Sequence, residues 1–120
     1  MIKKKTPQTP TGSEQKQMRQ SIMTRLDSII INWSPKFVVT DENKKLSDTL
    51  LSELKKAREI LENMFIPRED MRVSEYYRII VSQLDSLEDS RVLNSLSGEV
   101  IIKPLVEKIL ETTKDWEKLH

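Results

Sequence analysis

One histidine, no cysteine and two glycines decide most of the chemistry open to this sequence. Nucleophilic catalysis needs a Ser, Thr or Cys beside a base, usually His. The single histidine is His120, the last residue of the sequence, a poor place to hold catalytic geometry, so a triad is not expected. Paired carboxylates are the next candidate, one serving as acid and one as base. The pairs present are Asp41–Glu42, Glu69–Asp70 and Glu88–Asp89, and sequence neighbours on a helix diverge by about 100°. Two of the three also fall in predicted first turns, where the helix dipole already favours negative charge.

Absence of cysteine removes disulfides, thiolate nucleophiles, Cys-ligated zinc and iron–sulfur clusters together. One histidine supplies neither a zinc-binding pair nor the Glu-x-x-His motifs of a bundle diiron centre, and no calcium loop is present. Gly12 and Gly98 stand far apart, so neither the Walker pattern nor G-x-G-x-x-G exists. No catalytic residue, metal ligand or cofactor is assigned, and the chain is expected not to be an enzyme.

Binding is the chemistry that remains. Residues 1–40 hold seven basic groups against two acidic ones, and residues 41–120 hold thirteen against seventeen. A basic arm before a mildly acidic body suits an anionic partner, or the body itself. Lys3, Lys4, Lys5, Lys16 and Arg19 give the alternative reading of a small nucleic-acid-binding regulator. No aromatic residue precedes Trp33, so base stacking by the arm is unsupported. Asp85, Glu88 and Asp89 crowd the end of a predicted helix where the dipole prefers cations, a local violation that marks a candidate docking patch for a basic partner or for the protein's own arm. Tyr76 and Tyr77 lie about 100° apart, which puts one at the rim of the core, where tyrosine serves as a binding anchor.

Four amphipathic helices must position these groups. From Ser13, the expected N-cap, Met18, Ile22, Leu26, Ile29, Ile30 and Trp33 recur at helical spacing, and Pro35 stops this helix at Ser34. Thr40 caps a second helix with Asp41 and Glu42 in its first turn, and Leu50, Leu54, Ala57, Leu61 and Met64 follow at alternating spacings of four and three. Lys55–Glu59 and Arg58–Glu62 mark its solvated face. Pro67 closes that helix and opens a third carrying Val73, Tyr76, Tyr77, Ile80, Leu84 and Leu87. The stripe then falls out of phase, which predicts a break near Ser90 and a short turn to Ser97 capped by Gly98. Val100-Ile101-Ile102 before a proline reads as extended, with Phe37-Val38-Val39 as its strand partner. The last helix is expected to start at Pro104 and to carry Leu105, Ile109, Thr112, Trp116 and Leu119.

The expected fold is all-α, a small up-down helical bundle of about four helices in one domain over residues 13–120, preceded by a flexible basic N-terminal arm over 1–12. Polar residues Thr6 to Pro10 follow the early lysines where an export signal needs an apolar stretch, and no apolar run exceeds three residues. A soluble, cytoplasmic protein without a transmembrane segment is expected. By elimination the expected function is a non-enzymatic protein–protein interaction module, an adaptor or assembly chaperone that docks another protein through helix–helix packing. Its candidate binding residues are Leu50, Leu54, Leu61, Tyr76, Tyr77, Asp85, Glu88 and Asp89, and self-association stays open.

Overall fold

Thr40 starts the second helix as its hydroxyl promises. Its backbone is extended at φ −130° and ψ 163°, and Oγ1 accepts from the Asn43 amide at 3.1 Å, one of the donors that a helix start leaves without an internal partner. The computed structural model describes residues 12–34, 40–64, 71–89 and 99–119, which form four helices. They are α1 (Gly12–Ile31), α2 (Asp41–Asn63), α3 (Met71–Leu87) and α4 (Glu99–Glu117). Lys3, Lys4, Lys5 and the rest of the expected arm lie outside the described residues, except Gly12, which belongs to α1.

Each helix turns its apolar stripe inward. Ile22, Leu26 and Ile29 of α1, Leu50, Leu54, Ala57 and Leu61 of α2, and Val73, Ile80, Leu84 and Leu87 of α3 are buried in one core with Ile102, Val106, Ile109 and Trp116 of α4. Full burial of a large apolar side chain contributes about 1.5 to 3 kcal/mol. α1 ends at Ile31, three residues before Ser34, and the Asn32 side chain covers the Ser28 carbonyl at 2.8 Å. α2 ends at Asn63, and Met64 is extended at φ −70° and ψ 134°.

The expected extended segment before Pro104 is helical instead. α4 begins at Glu99 and carries Pro104 inside it. Ile102 is wholly buried four residues before Val106, so the α4 stripe runs back past the proline, and that burial outweighs the missing N–H. The carbonyl deprived of a partner belongs to Val100, a residue 71% exposed, where water can take it. Val100–Ile102 therefore form no strand; Phe37–Val39, like Ser90–Gly98, lie outside the described residues.

The helices form a four-sided array. α1 packs on α2 and α3, and α4 packs on the same two from the opposite side. Among the described residues α2 and α3 nowhere approach within 8 Å between Cα atoms, nor do α1 and α4. Directions follow from side-chain pairs. Arg19 meets Met64, Asp27 meets Arg58 and Trp33 meets Ser47, so α1 and α2 are antiparallel. Met18 shares a groove with Tyr77, and Arg25 meets Asp85, so α1 and α3 are parallel. The chain thus runs up, down and up through α1–α3, with α2 and α3 on a diagonal rather than side by side.

Candidate functional site

Polar chemistry in this bundle gathers along the two seams of α1. Neither α2 nor α3 has a basic residue in its last turn, although the dipole there favours one. α1 supplies both. Arg19 Nη1 donates to the Met64 carbonyl at the end of α2 at 2.8 Å. Arg25 Nη2 lies 2.7 Å from Asp85 Oδ1, and its Nε donates to Glu88 Oε1 at 2.8 Å, at the end of α3. Partial burial pulls the Arg25 pKa down, but hydrogen bonds and charge attraction from Asp85 and Glu88 outweigh it and hold the guanidinium above its ordinary value.

On the α2 seam, Arg58 Nε donates to Asp27 Oδ1 at 2.8 Å, and Arg58 also pairs with Glu62. The hydrogen bond that Arg58 donates to Asp27 is the main cause that raises the Arg58 pKa. The expectation that Arg58 and Glu62 mark only a solvated face is therefore corrected, because Arg58 also ties α2 to α1. At the far end of the seam Trp33 Nε1 donates to the buried Ser47 Oγ at 2.8 Å.

These positions relocate several predicted binding residues. Leu50, Leu54 and Leu61 are at most 1% exposed and belong to the core of their own bundle; a partner reaches them only if the bundle opens. Asp85 and Glu88 are exposed, but both hold Arg25 of α1. Asp89 follows them with its amide on the Ser86 carbonyl at 3.2 Å. Tyr76 and Tyr77 are both half-buried and packed against the core, and Tyr77 borders a shallow surface groove with Glu14, Gln17 and Met18. Of the basic residues assigned to an anion, Lys16 is exposed and Arg19 is turned to Met64.

Sequence reasoning missed the clasping role of Arg25, Asp27 and Arg58. Spacing along one helix carries no record of which residue of another helix it will meet. The one usable signal was the surplus of acid at the end of α3, which demanded a cation from elsewhere.

A second groove runs between α2 and α4, bordered by Glu53, Glu107, Leu110, Lys114 and Asp115. The Glu53 Oε2 atom is buried there without a hydrogen-bond partner, and so is Trp116 Nε1 in the core. Among the described residues no three His, Asp or Glu side chains are grouped to hold a metal ion, and no helix is long and apolar enough to cross a membrane. No family model, curated protein or solved structure matches the chain. The functional reading therefore rests on the geometry alone.

Proposed function

We propose that this chain is a non-enzymatic helical interaction module, an adaptor or assembly chaperone of the cytoplasm, that docks another protein on the outer edge of the α1–α3 seam. The carrying observation is the groove where Tyr77 of α3 meets Met18 of α1, with Glu14 and Gln17 beside them. Tyrosine offers a rigid apolar ring with a polar tip, and methionine an adaptable apolar surface, the pair of properties that binding anchors use. Glu14 and Gln17 give the groove a polar border, so the fitting partner presents an apolar side chain ringed by polar groups. In this reading Leu50, Leu54 and Leu61 hold the scaffold and Asp85 and Glu88 hold Arg25, while Tyr77 faces the partner.

A photo-crosslinking residue placed at position 77 tests the reading against the same residue at Lys56, an exposed position on α2. A discrete adduct from position 77 alone, lost when Met18→Glu is added, supports it. Equal labelling from both positions contradicts it.

A further inference from the structure

We propose that the seat of α1 between α2 and α3 is exchangeable, and that a second copy of this chain fills it with its own α1, so that two chains pair by trading first helices. The array makes α1 removable as a unit. α4 alone bridges α2 and α3 from the other side, so lifting α1 leaves the α2–α4 and α3–α4 packing in place and uncovers a lengthwise groove.

The ion pairs at the rims are of a kind that opens, and the part-buried Arg19–Met64 and Trp33–Ser47 hydrogen bonds must open with them. Arg25, Asp85 and Glu88 have side chains 27%, 66% and 45% exposed, and Arg58 and Asp27 are 31% and 44% exposed. Ion pairs this wet are weak singly and are screened by salt. Beneath them Ile22, Met23, Leu26 and Ile29 are buried, and leaving that groove empty costs the whole of their burial. An identical helix from a second copy restores every term. It carries the same apolar stripe, with Arg25 set for Asp85 and Glu88 on one rim and Asp27 set for Arg58 on the other. Exchange of identical elements is a low-cost route to a dimer. The proposal does not rest on the foreign partner proposed above, since it requires only the seat and a second chain.

The test mixes equal amounts of unlabelled and nitrogen-15-labelled full chain at high concentration and moderate salt, then follows native mass and the binding of a fluorescent peptide of residues 12–34. Mixed-isotope dimers are expected, together with saturable peptide binding that weakens about tenfold for the peptide variant Arg25→Glu. The chain variant Arg25→Gln, whose own α1 is held less firmly, should take up the native peptide several-fold more tightly. Monomers at every concentration, or a native peptide that binds no better than its Arg25→Glu form, would overturn the proposal. If the Arg25→Gln chain loses its cooperative melt, the native-chain measurements decide alone. Failure of this exchange leaves crosslinking at position 77 unaffected, so the two readings fail separately.

Discussion

The guanidinium of Arg25, in the C-terminal half of α1, lies 2.7 Å from the carboxylate of Asp85 near the end of α3. That pair resolves a conflict written into α3, whose last turn carries acid and no base, against the preference of the helix dipole. Arg19 does the corresponding work for α2 by capping the Met64 carbonyl. One helix therefore completes the C-terminal ends of two others, and both α1 seams are set by arginine.

Arg25→Gln should destabilise the bundle by about 1 kcal/mol, the loss of two partly exposed ion pairs, and lower Tm by about 4 to 8 °C. Because the folded-state pKa of Arg25 is raised, its contribution is complete below the ordinary arginine value and is lost only as pH climbs through the raised one. The difference in Tm between native chain and variant should thus hold constant from neutral to mildly alkaline pH. Thermal melts of both across that range check it, and a gap that closes at mildly alkaline pH would contradict the assignment.

Arg19→Met keeps much of the apolar stem and removes the cap on the Met64 carbonyl. A loss of about 0.5 to 1.5 kcal/mol is expected from the missing hydrogen bond to a helix end. Urea unfolding measures it, with faster amide exchange expected in the last turn of α2 ahead of its middle.

Trp33 and Ser47 form a pair suited to a double-mutant cycle. Trp33→Phe strands the hydroxyl of Ser47, which is 5% exposed, and should cost about 1 to 3 kcal/mol, part of it from lost ring volume. Ser47→Ala in the Trp33→Phe background should then cost less than in the native chain, with a coupling energy of about 0.5 to 1 kcal/mol. Additive losses would show that the hydrogen bond is not formed.

Thr40→Ala should cost about 1 kcal/mol by removing the acceptor of the Asn43 amide, and Thr40→Ser should restore most of it. Pro104→Ala makes the opposite prediction. With α4 helical from Glu99, a returned N–H can pair with the Val100 carbonyl, and stability should rise by about 1 to 3 kcal/mol. A destabilised Pro104→Ala would point to an extended segment there.

What could be read in advance and what could not divides by the range of the physics. The Thr40 cap and the Leu50, Leu54, Ala57 and Leu61 stripe depend on neighbours within one or two turns, and both stand where periodicity and capping chemistry put them. At Pro104 the local rule for the residue before proline points to an extended segment, and the burial of Ile102, which extends the same stripe, overrides it. The carboxylates at the end of α3 were recognisable as an anomaly, but their answer, Arg25, lies 60 residues away from Asp85. Nothing in the spacing of either helix indicates that α1 and α3 run parallel in contact. The diagonal placement of α2 and α3 was hidden for the same reason.

The most direct test of the account is hydrogen exchange read helix by helix at low and high salt. If arginine clasps hold α1 in the seam, its amides should exchange well before those of α2, α3 and α4, and high salt should speed α1 alone while the other three keep their protection. Exchange of all four helices at one common rate, unchanged by salt, would contradict a separately fastened first helix.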